Sequence, residues 1–140
     1  MSNNAEVELK LPVIPDIELS ATKTAEVISK HMNLSEEKTG EISMAIIESC
    51  INAFEHSKTK EIYIHFIVTA ENLTIKVRDK GIGFDKSKVE IPNIENKLNN
   101  DERKRGWGLQ LITALMDTVE YDSDETGTTV TMTKKREDNE

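Results

Sequence analysis

The chain has 140 residues and carries 18 Lys plus Arg against 26 Asp plus Glu, a formal charge of -8. That sign disfavours direct binding to nucleic acid or to an anionic membrane surface, and the apolar runs are a few residues long where a spanning helix needs roughly 20. The N-terminus lacks the basic and apolar regions of a signal peptide. One cysteine cannot form an intramolecular disulfide, and three histidines with a lone thiol offer no zinc-ligand spacing. These features predict a cytoplasmic chain forming one domain over residues 1–140, with any metal held mainly by oxygen.

Val7, Leu9, Leu11 and Val13 alternate with Glu8, Lys10 and Pro12, which predicts a first strand, and the proline puts it at a sheet edge. Ser20 is a candidate N-cap for a helix with Ala21, Ala25, Ile28 and Met32 at helical spacing. Ser35 followed by Glu36 and Glu37 starts a longer helix that ends near His56, with Gly40 lowering propensity in its first turns. Residues 61–79 read as a β-hairpin, because Ile62, Ile64, Phe66 and Val68 alternate and then Leu73, Ile75 and Val77 repeat the pattern.

From Lys86 to Arg105 the chain is mostly polar, anchored by Val89, Ile91, Ile94 and Leu98, with room for one short helix from Asn93. A connection of that length is usually functional or mobile. Trp107, Leu111, Ile112, Leu115 and Met116 mark another helix ending near Asp117, followed by strands at Val119 to Ser123 and Thr128 to Lys134. The charged residues 135–140 are expected to fray. Hairpins with helices between them predict an α+β fold, a two-layer α/β sandwich with a mixed, mostly antiparallel sheet and helices on one face.

Three constellations carry chemistry. In the helix from Ser35 the apolar residues run nearly all round, which predicts deep packing, so its polar residues need partners. Glu48, Asn52 and Glu55 stack on one face, with His56 one turn beyond Asn52. Such a line is either a solvated stripe or an edge that faces metal and ligand, with the Asn52 carbonyl oxygen suited to magnesium. Asp79-Lys80-Gly81-Ile82-Gly83-Phe84-Asp85 puts a carboxylate at a strand end before two glycines. It is either an Asx-closed turn or an acceptor for an exocyclic amine. Arg105-Gly106-Trp107-Gly108-Leu109 opens a helix, where free amides and an arginine make an anion site or the glycines make a hinge. Neither a P-loop nor a dinucleotide fingerprint is present.

The order Glu48-x-x-x-Asn52, Asp79-x-Gly81-x-Gly83, Gly106-x-Gly108-Leu109, Gly127-Thr128 resembles the GHKL ATPase superfamily of gyrase-type, Hsp90, histidine-kinase and MutL nucleotide-binding domains. Within it the chain looks most like the anti-sigma-factor serine kinases, over roughly the first strand to Lys134. The resemblance implies a Bergerat-type ATP-binding fold using ATP and Mg2+. It makes Glu48 the catalytic base, Asn52 the metal ligand and Asp79 the acceptor of the adenine amino group. Gly81 and Gly83 shape the adenine-side turn, and Arg105, Gly106, Trp107, Gly108 and Leu109 the phosphate side. Thr128 forms the far side of the adenine pocket, His56 fits the pattern, and residues 86–105 form the ATP lid.

The resemblance also implies an anti-anti-sigma-type protein substrate, a sequestered sigma factor and a homodimer. A chain of 140 residues leaves no room for the transducer of gyrase-like and MutL-like proteins. His31 lacks the acid and proline that follow a phosphoacceptor histidine. Two alternatives to the serine kinase are a nucleotide-sensing module that binds without transfer and the catalytic fragment of a histidine kinase.

Overall fold

The computed structural model describes residues 5–56, 61–80 and 110–137, apart from the side chain of His56. The expected lid with its helix from Asn93, the glycines at 81 and 83, and Arg105 to Leu109 lie outside the described residues. The described elements are β1 (Ala5–Pro12), α1 (Glu18–His31), α2 (Glu36–His56), β2 (Glu61–Val68), β3 (Asn72–Asp79), helical residues 110–115, β4 (Thr118–Asp124) and β5 (Gly127–Lys135). The strands form one antiparallel sheet in the order β1-β2-β3-β5-β4. This is the expected two-layer α+β arrangement. β1 lies at the sheet edge, where Pro12 withholds no hydrogen bond from a second neighbour.

Strict alternation makes one sheet face dry and the other wet. Ile62, Ile64, Phe66 and Val68 on β2, with Leu73, Ile75 and Val77 on β3, are buried beneath the helices. They pack with Val130 and Met132 of β5 and with Ala21, Ala25, Ile42, Ala45, Ile46, Cys50 and Ile112. α2 lies over β2, β3 and β5, and α1 packs on α2. The hydroxyl of Ser49 meets the Met132 sulfur at 3.2 Å, fixing the middle of α2 on β5.

The α1–α2 corner follows from local chemistry. Asn33 adopts a left-handed conformation at φ 59°, which asparagine tolerates better than most residues. Leu34 N–H then donates to the Ser29 carbonyl at 3.0 Å and Asn33 N–H to the Lys30 carbonyl at 3.1 Å, a Schellman ending. Ser35 caps α2 as expected, its Oγ accepting from Lys38 N–H at 3.1 Å.

Three expectations are corrected. α1 starts at Glu18, not at a Ser20 cap; Ile17 occupies the cap position with no side-chain bond, after Asp16 turns the chain at φ 65°. α2 is not covered all round, since Met44 and Ile51 are 49% and 38% exposed on its outer side; a two-layer fold covers a helix mainly toward the sheet and its neighbouring helix. The C-terminal run is held beyond its expected end: Lys135 belongs to β5, Arg136 N–H donates to the Glu71 carbonyl at 2.8 Å, and Lys38 Nζ reaches the carbonyls of Lys135 and Arg136 at 3.0 Å each.

Two contacts fix the later strands. Lys134 is buried, pairs with Glu41 of α2 at 2.9 Å and donates to the Leu115 carbonyl at 2.6 Å, so one ammonium joins the sheet, α2 and the end of the helical residues 110–115. Gly127, at φ 149°, opens β5 where the chain passes against the backbone of Asp79 and Lys80; an ideal β-carbon there would overlap the Asp79 carbonyl oxygen. No other residue type fits that position without moving one strand end.

Lys134→Met is expected to lower unfolding free energy by about 2 kcal/mol in urea titration, less than a fully buried pair because Glu41 keeps some water access. The same experiment on Lys10→Met, which breaks the exposed pair with Glu61, should show a much smaller change, because water screens that pair. Gly127→Ala is expected to cost about 1–3 kcal/mol of backbone strain, read in urea, together with a shift of the Asp79 and Thr128 amide resonances.

Candidate nucleotide site

Asp79 closes β3 and Thr128 is the second residue of β5, and the two are Cα partners in the antiparallel register. Both are 5% exposed. A carboxylate and a hydroxyl buried opposite each other at a sheet end are costly unless they meet polar partners. Thr128 has one in Ser123 of β4, hydroxyl to hydroxyl at 2.9 Å. The sequence places Asp79 and Thr128 far apart; the sheet makes them neighbours, and Gly127 permits the close approach.

α2 supplies the second group. Its inner positions Ala45, Ile46, Ser49, Cys50 and Ala53 are buried, while Glu48 and Asn52 are half-buried and Glu55 is exposed. The line read from spacing therefore runs along the boundary between packed and open surface, with Glu48 and Asn52 on its drier half. The Nδ2 of Asn52 is buried and has no hydrogen-bond partner among the described residues, the kind of unsatisfied group that a ligand completes. Turning the amide over exchanges that nitrogen with the carbonyl oxygen, so the same position serves a phosphate oxygen or a cation.

A magnesium ion fits this donor chemistry. Among the described residues no cluster of three or more His, Cys, Asp or Glu side chains is placed to hold a metal. Mg2+ commonly takes only one or two protein oxygens and completes its shell with phosphates and water, so the carbonyl oxygen of Asn52 would be a sufficient protein contribution. Cys50 offers no alternative chemistry: burial, and to a lesser degree the Glu18 carboxylate, push its thiol up to about 12, leaving no thiolate to act as ligand or nucleophile.

Asp79, Thr128, Glu48 and Asn52 thus share the helix-covered side of the sheet, under or on α2, which packs against both β3 and β5. The side chain of His56 and residues Gly81, Gly83, Arg105, Gly106, Trp107, Gly108 and Leu109 lie outside the described residues. Sequence reasoning includes Gly127 in the Gly127-Thr128 motif without giving it a role, and it does not single out Ser123. The signal for Gly127 was its position directly before Thr128; Ser123 had none, because its partner is set by the β4–β5 register.

Comparison with known proteins gives the family and the fold. The histidine kinase-like ATPase domain family matches residues 16–134. The serine-protein kinase RsbW of Bacillus subtilis is 30% identical over 142 residues, covering 96% of this chain and 88% of the relative. The protein of the same name from Bacillus licheniformis is 33% identical, covering 91% and 84%. Among solved structures, the RsbU and RsbW domains of a Mycobacterium tuberculosis protein superpose with a TM-score of 0.68 at 18% identity, over 93% of this chain and 32% of that one. The SiaB–SiaC complex of Pseudomonas aeruginosa gives 0.57 at 8% identity, over 92% and 89%. The two structures share the fold, and the family match with the RsbW relatives gives the kinship: the chain belongs to the histidine kinase-like ATPase family, in its serine-protein kinase branch.

Proposed function

We propose that this chain is an ATP- and Mg2+-dependent protein serine/threonine kinase that acts as an anti-sigma regulatory factor. In this reading it phosphorylates an anti-anti-sigma-type antagonist, sequesters a sigma factor and works as a homodimer in the cytoplasm. The observation that carries the nucleotide part is the buried Asp79–Thr128 pair beneath a helix whose Asn52 holds an unsatisfied amide. The protein-substrate part is carried by the serine-protein kinase relatives.

Each residue has a physical role. Asp79, an acceptor only when ionised, takes a hydrogen bond from the adenine amino group, and Thr128 closes the opposite side of the base. Asn52 would hold Mg2+ at the triphosphate end, where the ion would supply charge neutralisation at the phosphates. Glu48 orients an incoming serine hydroxyl and accepts its proton as the bond from the hydroxyl oxygen to the γ-phosphorus forms and the bond from that phosphorus to the bridging oxygen breaks, with ADP as the leaving group. Phosphoryl transfer depends mostly on positioning and charge stabilisation, which suits a site with few reactive groups. The lid at residues 86–105, with Arg105 to Leu109 at the phosphates, remains part of this proposal.

Capture of partners from lysate with and without ATP, followed by mapping of phosphorylated residues, tests the reading directly. Transfer of phosphate to a serine or threonine of a captured protein supports it, and nucleotide binding without any transfer would favour the sensing module. Asp79→Ala is expected to weaken ATP by about ten- to a hundredfold in calorimetry, corresponding to loss of a charge-assisted hydrogen bond. GTP should bind the native chain far more weakly than ATP, because its 6-oxo group presents a second acceptor to Asp79. Glu48→Ala is expected to retain ATP binding and lose phosphoryl transfer by at least about a hundredfold, whereas Asn52→Ala should lose the magnesium dependence of binding.

A further inference from the structure

α2 carries a row of residues that belongs neither to the core nor to the candidate site. Gly40, Met44, Ile47 and Ile51 follow one another at spacings of four, three and four, so they form one stripe along the helix. Gly40 is exposed and Ile47 half-buried, while Met44 and Ile51 are 49% and 38% exposed. The stripe lies directly beside the proposed base. Met44 precedes Glu48 by four residues and Ile51 follows it by three, the two spacings at which helical side chains are neighbours.

Gly40 is an independent observation. Glycine is the poorest helix former after proline, so one inside α2 needs a reason. The fold supplies none: a β-carbon at Gly40 would meet no atom within 4 Å among the described residues, and its φ is not positive. The missing side chain instead leaves a notch at one end of an apolar stripe, where the backbone of another molecule can approach closely. From Gly40 to Ile51 the stripe runs about 16 Å, enough for about five residues of extended chain.

Position selects the occupant. The hydroxyl that Glu48 deprotonates must come within about 3 Å of its carboxylate, so the substrate surface around that hydroxyl has to lie across the neighbouring helix positions, Met44 and Ile51. A sequestered sigma factor or a second copy has no need to reach Glu48. The Glu48 carboxylate and the formal charge of -8 disfavour an acidic surface there. We propose that the stripe Gly40, Met44, Ile47 and Ile51 docks the phosphoacceptor protein and selects a serine or threonine flanked by large apolar side chains, not acidic ones. The proposal rests on the kinase reading above and names what that site accepts. Met44 and Ile51 take the flanking side chains, and the notch at Gly40 admits the backbone.

The probe is the protein that the native chain labels in lysate from ATP carrying a labelled γ-phosphate, identified by mass spectrometry and purified for steady-state kinetics. The neutral substitutions M44Q and I51N leave the charge around Glu48 unchanged. Together they should raise the KM for that protein about tenfold or more, with kcat and ATP affinity unchanged. Gly40→Ala fills the notch while improving the helix. It should raise the same KM about threefold or more and raise the urea midpoint as well, so weaker docking in that variant has no origin in a weaker fold. Mapping of the labelled serine or threonine should find large apolar residues beside it.

An unchanged KM in both M44Q/I51N and Gly40→Ala would overturn the proposal while leaving the kinase reading intact, as would acidic residues beside the mapped acceptor. A fall in kcat or ATP affinity with KM unchanged would also overturn it, because the stripe would then act inside the site and not on the partner. Altered self-association in sedimentation velocity, again with KM unchanged, would put a second copy on the stripe instead. No labelled protein at all would remove the kinase reading and the proposal with it.

Discussion

The approach of Gly127 to the backbone of Asp79 is the constraint on which the rest depends. β3 and β5 are central neighbours in the sheet, yet a long stretch of chain separates them. Their register is set where they begin and end, and the absence of a β-carbon at Gly127 allows β5 to start directly against Asp79. A one-residue slip in a strand with alternating faces would send every side chain to the wrong side. Thr128 would leave the dry face, and Val130 and Met132, which belong to the core, would be turned to water.

The same packing that makes the core also makes the candidate site. α2 is held on β5 by Ser49 against Met132 and at its start by Glu41 against Lys134. These contacts fix both the height and the rotation of the helix. Glu48 and Asn52 therefore fall at the boundary of the packed surface and not on the solvent side, where an amide would be satisfied by water. An unsatisfied buried donor is tolerated in a native fold mainly when something else completes it, and in the function proposed above a phosphate oxygen would do so at Asn52.

Much of the fold was legible because alternation is a local signal. Ile62 to Val68 and Leu73 to Val77 declared their buried face residue by residue, and Ser35 announced α2 through its own side chain. The start of α1 was not legible, because Ile17 caps nothing and the turn is made by the backbone of Asp16. The exposure of Met44 and Ile51 was hidden for a different reason: composition shows that a helix is apolar but not how many neighbours cover it. For the site, the residue types at 48, 52 and 79 suggested chemistry, and their roles came from the order of motifs. What no local pattern contained was the pairing of Asp79 with Thr128 and of Thr128 with Ser123, since strand order and register are non-local properties.

Register also joins the two faces of the sheet. Adjacent residues of β5 point to opposite sides, so the alignment that sets Thr128 beside Asp79 on the helical side sets Thr129 between Arg78 and Asp122 on the open side. The buried pairing of Asp79 with Thr128 and the open-face row of Arg78, Thr129 and Asp122 are therefore not independent features. They are two readings of one strand alignment, and both fail together if β5 shifts. Strain at the β3–β5 junction, whether from a substitution at Gly127 or from a ligand pressing on Asp79, would reach the open face through the rigid spacing of a single strand. The distance is short and the route is covalent, so the candidate site on one layer and the open face on the other are coupled by construction wherever binding moves β5.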